Sequence, residues 1–139
     1  MDSLMSLCRD AVTDLTRKNI RRRLEYFVAR PERITDELVE LQYRLYSDPA
    51  VLESMKRVFG LTASRSSLTG WSEEEAARFA PPTLVIWTGK NRGAPPEAGH
   101  YLAGLIPGAR CHIIQDACHW PQWEQSEEHD GVVLDFLSS

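Results

Sequence analysis

Apolar residues recur at helical spacing throughout the chain before Pro81. A first set is followed by a second and, after Pro31, by a third. The sets are Leu4, Cys8, Val12 and Leu15; Ile20, Leu24, Phe27 and Val28; and Ile34, Leu38, Leu41 and Leu45. Apolar residues three or four positions apart form one face of a helix, so each set predicts an amphipathic helix that packs on a core.

Residues that favour helix starts lie between these sets. Thr16 can cap the second helix and Thr35 the third, because a hydroxyl accepts a hydrogen bond from an unpaired amide of the first turn. Asp48 with Pro49 predicts the start of a fourth helix, which we expect to end at Gly60. The sequence therefore predicts four consecutive short helices.

A polar segment follows the four helices. Residues 61–70, "LTASRSSLTG", have the composition of a loop. Ser72 and Glu75 then have the spacing of a capping box, and we predict a brief helix that stops at Pro81-Pro82.

The pattern changes after the two prolines. Residues 83–88, "TLVIWT", form a continuous apolar run, which predicts a strand buried on both faces. A helix over 96–106, a second strand over 110–115 and a closing helix over 126–137 follow. The expected inward residues of the two helices are Ala98, Leu102 and Leu105, and Val132, Val133, Phe136 and Leu137. This order predicts an α/β fold with two parallel strands, in which an all-helical segment (1–70) precedes a βαβα segment (71–139).

Two apolar strands form an unusually small parallel sheet. Such sheets are normally larger and are covered by helices on both faces. One helix after each strand cannot cover two faces of the sheet, so we expect these strands to be part of a larger sheet.

The net charge and the cysteine content limit the classes of partner and the compartment that we expect for the protein. The 139 residues carry a formal charge of −4, which provides no general attraction to nucleic acid or to an anionic membrane. The basic run "RKNIRRR" (17–23) is interpreted as a solvated helix face. Three cysteines cannot all pair, and the first residues lack the pattern of a signal peptide. We therefore expect a cytoplasmic protein with reduced thiols and neither nucleic acid nor membrane as partner.

His119 is the leading candidate for chemistry. It follows the second predicted strand, and ligands and catalytic groups of α/β folds lie at the carboxyl ends of parallel strands. The position suits a general base, although a histidine there can also simply cap the strand or pack on Trp120 and Trp123. A metal site of Cys111, His112, Cys118 and His119 is disfavoured because the spacing matches no zinc pattern.

Longer motifs around His119 resemble a known family. The run "PTLVIWTGKNRGAPPEAGHYLAGLIPGAR" followed by "HWPQWE" resembles the C-terminal third of the α/β-hydrolase fold. More narrowly, it is similar to hydrolases that cleave a carbon–carbon bond in meta-cleavage products of aromatic degradation. The run "NIRRRLEYFVARPERITDELVELQYRLYSDP" is similar to the helical lid of that family. The resemblance implies a 2-hydroxy-6-oxo-dienoate type of substrate and no cofactor or metal.

The resemblance also implies roles for single residues. His119 matches the triad histidine and Trp120 a tryptophan of the substrate pocket. Asn91 stands where the family has its acid, and an asparagine brings no charge to an imidazolium. Gln42 stands where the lid often has an arginine for the substrate carboxylate, and Gln42 and its neighbour Tyr43 are candidate substrate-binding residues.

The nucleophile motif of the fold is missing from these residues. No Gly-x-Ser-x-Gly occurs in the sequence. We therefore expect a partial hydrolase that provides lid and histidine, is inactive alone, and is completed by an N-terminal hydrolase half or within a homo-oligomer. The alternative is a non-catalytic interaction module that assembles through its sheet edge and apolar lid.

Overall fold

The computed structural model describes residues 4–59 and 72–139, which fall into two compact units, Met1–Leu68 and Thr69–Ser139. The described residues of the first unit, 4–59, form helices and no strand. They are α1 (Leu4–Thr13), α2 (Arg17–Phe27), α3 (Asp36–Ser47) and α4 (Pro49–Val58), with a 3-10 turn at Pro31–Arg33 before α3. The assignment of this unit as a lid stays a prediction, and the predicted loop 61–70 lies outside the described residues.

The predicted caps of the helical unit are confirmed. The Thr16 hydroxyl accepts a hydrogen bond from the Asn19 amide at 3.2 Å, and Thr35 accepts one from Leu38 at 3.2 Å. The Asp48 carboxylate accepts bonds from the first two amides that follow Pro49 in the chain. Helix α4 ends at Val58, while the expected end at Gly60 lies outside the described residues.

The core of the helical unit buries the whole second stripe, half of the first stripe, and only Ile34 of the third stripe. The second stripe, Ile20, Leu24, Phe27 and Val28, is fully buried, as are Cys8 and Val12 of the first. Helix α3, in contrast, buries Val39 and Tyr46, whereas Leu41 is 65% and Leu45 52% exposed.

Ion pairs between α2 and α3 accompany this orientation of α3. Glu40 of α3 accepts a hydrogen bond from the Arg17 Nε of α2 at 2.7 Å, and Asp36 meets Arg21 at 2.5 Å. These contacts turn the acidic side of α3 toward α2. Tyr46, with its large ring, then occupies the core position that the leucine pattern assigned to Leu45.

The second unit has the predicted βαβα order. Strands β1 (Leu84–Thr88) and β2 (Arg110–Ile114) are parallel, in a register that runs from Leu84 opposite Arg110 to Thr88 opposite Ile114. The helices are α5 (Glu73–Ala77), α6 (Pro96–Leu105), α7 (Pro121–Glu124) and α8 (Ser126–Leu137). Ser72 and Glu75 form the predicted capping box before α5. The α/β class is therefore confirmed.

The expected burial of both strand faces is wrong for the described residues. Only Val85, Thr88 and Ile114 of the two strands are buried. Helix α8 buries none of its residues, and its Leu137, expected to face inward, is 73% exposed. Helix α8 packs on α7 and on β2 and leaves a pocket against the strands that is lined by Leu84, His112 and Val132.

Helix α6 packs closely on β1 through small residues. Its buried positions are Gly99 and Ala103, whereas the predicted inward residue Leu102 is 37% exposed. A Cβ at Gly99 would lie 2.6 Å from the Trp87 Cβ, so only glycine allows this approach.

In the two described ranges, no helix is long and apolar enough to cross a membrane.

We predict that Gly99→Ala destabilises the protein by about 1–3 kcal/mol, because the added methyl group must displace Trp87 or the helix. Gly104→Ala in the same helix is the matched control, since a Cβ there meets nothing within 4 Å. That control should gain about 0.5–1 kcal/mol from helix propensity. Urea unfolding followed by tryptophan fluorescence measures both, and equal effects of the two substitutions would contradict the packing argument.

Candidate active site

The loops that follow the two strands are joined by backbone hydrogen bonds. The Gly89 amide donates to the Ile114 carbonyl at 2.9 Å, and the Lys90 amide donates to the Ala117 carbonyl at 3.0 Å. The Lys90 ammonium lies 2.8 Å from an Asp116 carboxylate oxygen. The pairing of the strands thus continues beyond their ends and holds residues 89–91 beside residues 115–118.

Gly89 is required for this close approach. A Cβ at this position would lie 2.6 Å from the Gln115 carbonyl oxygen and 2.8 Å from the Gln115 Cα. Backbone atoms cannot move aside as the end of a side chain can. The glycine therefore sets the spacing between the two loops that carry Asn91 and His119.

The residues on either side of His119 are anchored by buried groups. Glu124, only 6% exposed, accepts hydrogen bonds through Oε1 from the Cys118 amide at 2.8 Å and the Trp120 amide at 3.2 Å. The buried Thr88 hydroxyl donates to the Cys118 carbonyl. The His119 side chain is exposed on this fixed loop. The structure thus holds the backbone of His119 from both sides and leaves the residue accessible.

Glu124 is a positioning residue that the sequence reasoning missed. The structure shows that its carboxylate reaches back from the first turn of α7 to the loop amides, as a capping glutamate does. The sequence did contain a signal for this role. Pro121 favours the first position of a helix, and Glu124 follows it within the first turn.

Asn91 lies in the loop after β1, and its side-chain oxygen serves that loop. Oδ1 accepts hydrogen bonds from the Gly93 amide at 2.8 Å and the Ala94 amide at 3.2 Å. The remaining polar group of the side chain is the NH2, which only donates. An asparagine held in this way differs chemically from a carboxylate, whose oxygens would accept a hydrogen bond from a ring N–H of histidine.

Trp120 and Trp123 form an edge-to-face pair beside His119. Their ring centroids are 6.2 Å apart at an interplanar angle of 89°. Trp120 is half-buried and Trp123 is 39% exposed. The pair presents apolar ring surface next to the imidazole loop.

The remaining candidates, Gln42 and Tyr43, belong to the helical unit. Both are half-buried on α3. The Arg17 guanidinium lies 4.0 Å from the centroid of the Tyr43 ring while its Nε is bonded to Glu40. Arg44 is bonded to the other oxygen of Glu40 at 2.8 Å. The roles of Gln42 and Tyr43 in substrate binding stay predictions.

Cys111 and His112 belong to β2 and lie outside the His119 loop. His112 Nε2 lies 2.8 Å from the Glu128 carboxylate, and Cys111 is half-buried. Cys118 is buried, and this burial raises the pKa of its thiol, which disfavours a nucleophilic thiolate at neutral pH. Over residues 4–59 and 72–139, no three His, Cys, Asp or Glu side chains form a group that could hold a metal ion.

Residues 4–126 match a known family, described as the alpha/beta hydrolase fold. The chain belongs to the α/β-hydrolase fold family. The fold inferred from "HWPQWE" and the residues before it is thereby confirmed. In this α/β-hydrolase chain, the histidine loop and the loop after β1 lie at the carboxyl ends of neighbouring strands.

Two similar proteins indicate which kind of hydrolase this chain resembles. A 2-hydroxy-6-oxononadienedioate/2-hydroxy-6-oxononatrienedioate hydrolase of Cupriavidus pinatubonensis is 32% identical over 123 residues, which are 88% of this chain and 42% of that protein. The structure of a meta-cleavage product hydrolase of Pseudomonas fluorescens is 26% identical with a TM-score of 0.72, covering 88% of this chain and 46% of that one. This α/β-hydrolase chain therefore resembles meta-cleavage product hydrolases and spans less than half of their length.

A third comparison extends the likeness in fold. The 2-hydroxy-6-oxo-6-phenylhexa-2,4-dienoate hydrolase of a Rhodococcus strain has a TM-score of 0.81 at 19% identity. The match covers 96% of this chain and 49% of that structure. At this identity the likeness concerns the fold of the α/β-hydrolase chain.

We predict that Glu124→Ala destabilises the protein by about 1–3 kcal/mol, because it leaves two loop amides without their acceptor. Glu124→Gln keeps a side-chain oxygen at the same position and should lose less than half as much. Urea unfolding measures the free energies, and amide hydrogen exchange at Cys118 and Trp120 localises the effect. The exposed Glu53→Ala is the control, and unchanged exchange at both amides in Glu124→Ala would refute the anchoring role.

Proposed function

We propose that this chain forms the lid and the histidine-bearing part of a serine-type α/β-hydrolase that cleaves a carbon–carbon bond in a dienoate from aromatic ring cleavage. The observation that carries the proposal is the His119 loop, which Glu124 and Thr88 fix beside the loop after β1. The similar protein of Cupriavidus pinatubonensis, a 2-hydroxy-6-oxononadienedioate/2-hydroxy-6-oxononatrienedioate hydrolase, supports the substrate class.

In this proposal, His119 takes a proton from the serine, or from the water that attacks in its place, and later returns it to the leaving carbon. Asn91 stands at the position of the orienting acid in the neighbouring loop, where its Oδ1 would have to give up its bond to the Gly93 or Ala94 amide in order to accept one from the imidazole. Trp120 lines the substrate pocket, with Gln42 and Tyr43 contributing from the lid. The reaction is proton transfer and hydrolysis, for which these residues need no metal or organic cofactor.

The nucleophile must come from outside these 139 residues. Half-covered strands support a sheet that continues into further strands, which would carry the serine. We propose that a complementary hydrolase segment or an oligomer completes the site, that the chain by itself has little activity, and that it works in the cytoplasm.

Complementation tests the role of His119. The chain is mixed with the serine-bearing N-terminal half of a related hydrolase, and loss of the coloured 2-hydroxy-6-oxo-6-phenylhexa-2,4-dienoate is followed by absorbance. His119→Ala should lower the rate by about 10²–10⁴-fold, because it removes the general acid and base. His112→Ala is the control, since that histidine pairs with Glu128 on β2. Activity that survives His119→Ala unchanged would remove the proposal.

The same assay tests Asn91. We expect Asn91→Asp to increase the rate of the complemented enzyme, because a carboxylate stabilises the imidazolium; in serine proteases the reverse exchange costs about 10⁴-fold. The increase should appear in kcat rather than KM. A rate for Asn91→Asp at or below that of the unaltered chain would show that position 91 does not orient His119.

A non-catalytic interaction module is the second candidate. The exposed apolar residues Leu134 and Leu137 of α8 and the half-covered strands favour it. Size-exclusion chromatography separates the candidates when combined with a serine-hydrolase probe. A stable oligomer that neither reacts with the probe nor gains activity on complementation supports the module.

A further inference from the structure

The charges of α8 complement those of β2. Four of the twelve residues of α8 are Asp or Glu, and none is Lys or Arg. The basic residues of β2 are Arg110 and His112. Alternate residues of a strand share one face, and the register places Leu84 and Ile86 of β1 beside these two residues. One face of the strand pair therefore combines basic side chains of β2 with apolar side chains of β1.

Two polar pairs hold α8 to β2, one near each end of the helix. His112 Nε2 lies 2.8 Å from the Glu128 carboxylate, in the first turn of α8. The Arg110 guanidinium lies 2.6 Å from the Asp135 carboxylate, in the last turn, and 5.8 Å from the centroid of the Phe136 ring. Residues seven apart share a side of a helix, so both acids can reach β2 at once. We call these two pairs the α8 clasps.

Between the clasps, α8 stands away from the strands. A cavity of about 290 Å³ lies there, with Gly131 and Val132 in its α8 wall. A Cβ at Gly131 would meet nothing within 4 Å. Helix α8 buries none of its residues. Because buried apolar surface normally holds a helix on a sheet, the clasps carry an unusually large share of the attachment of α8 to β2.

The start of α8 is anchored independently of the clasps. Only Gln125 separates α7 from α8, and its side-chain amide donates to the Asp116 carbonyl at 3.1 Å. Glu124, the preceding residue, is buried and accepts a hydrogen bond from the Cys118 amide. Rotation of α8 about Gln125 would therefore break the clasps and leave the His119 loop in place.

The clasps are weak enough to open. Their four side chains are between 37% and 69% exposed. Pairs as exposed as these contribute little singly and are screened by salt. Elements with few buried contacts open locally, at a much lower free energy than the whole fold.

We propose that α8 is a detachable cover of the strand pair, which pivots at Gln125 and is kept closed by the two α8 clasps. The closed helix shields the face that carries Leu84 and Ile86. The open helix exposes this apolar face to a covering surface, such as the completing segment of the proposed function. The cover itself depends on neither the serine nor His119.

Labelling of a cysteine beneath α8 measures the opening. The reporter chain carries Leu84→Cys, in the wall of the cavity, together with Cys111→Ser, and the other two cysteines are buried. The uncharged reagent iodoacetamide should label the new thiol slowly. Glu128→Ala and Asp135→Ala should each raise the labelling rate about 2–5-fold, because each removes one clasp while alanine keeps the helix.

Matched variants separate the clasps from a general effect of charge. Glu127→Ala removes the same charge from the neighbouring residue, which belongs to neither clasp, and should leave the labelling rate unchanged. Arg110→Asp should raise the rate, and its combination with Asp135→Arg should lower it again by restoring an opposite-charge pair. Circular dichroism and amide spectra report whether α8 is folded in each variant.

Salt provides a second test at fixed pH. At 1 M sodium chloride, charges are screened beyond about 3 Å, so the labelling rate of the reporter chain should increase. The same salt should have little effect once both Glu128→Ala and Asp135→Ala are present, because no clasp then remains to be weakened.

Three outcomes overturn the proposal. They are labelling of the reporter chain as fast as that of Glu53→Cys at an exposed position, equal rates for Glu127→Ala and Glu128→Ala, and a reversed pair that does not lower the rate. The labelling assay needs no second hydrolase half, so its result is separate from that of the complementation assay.

Discussion

The parallel pairing of β1 with β2 is the constraint on which the candidate site depends. The register from Leu84–Arg110 to Thr88–Ile114 brings both strands to an end at the same level. Hydrogen bonds from Gly89 and Lys90 then carry the pairing into the loops. Thr88, the last residue of β1, reaches across to the Cys118 carbonyl next to His119. The place of the imidazole therefore follows from strand register, and two glycines permit the packing around it: Gly89 between the loops and Gly99 of α6 against Trp87 of β1.

Charge plays the corresponding role in the helical unit. The acids of α3 meet the arginines of α2 on the side of α3 that faces that helix. Exposed pairs of this kind contribute little free energy singly, so the burial of Val39 and Tyr46 carries more of the packing energy. Arg23 is the exception on α2, because its surroundings are rings rather than carboxylates.

Local signals in the sequence predicted much of this fold. Caps at Thr16, Thr35, Asp48 and Ser72 depend on one side chain and the next turn, so they could be recognised without tertiary information. The strands and the family were evident from apolar runs and from "HWPQWE". The face of α3 was predicted wrongly because Leu38, Leu41 and Leu45 have helical spacing, whereas the partners that turn the helix lie on α2.

Whether helices cover the two strands could not be predicted from local signals of this kind. The sequence of α8 has apolar residues suited to an inward face, but whether they are buried depends on what else packs there. Glu124 escaped notice for a related reason, since its role needs the loop to fold back onto it. Spacing identifies what a side chain can do, whereas its actual partner is a property of the packed chain.

Half-covered strands also have a consequence for handling and biogenesis. A short parallel pair with exposed apolar surface is a template on which other extended chains can assemble. Such assembly grows with concentration, while docking of a specific completing surface competes with it. In the proposed assembly, the timing of synthesis relative to the completing segment thus determines how much of the chain stays dispersed rather than aggregating.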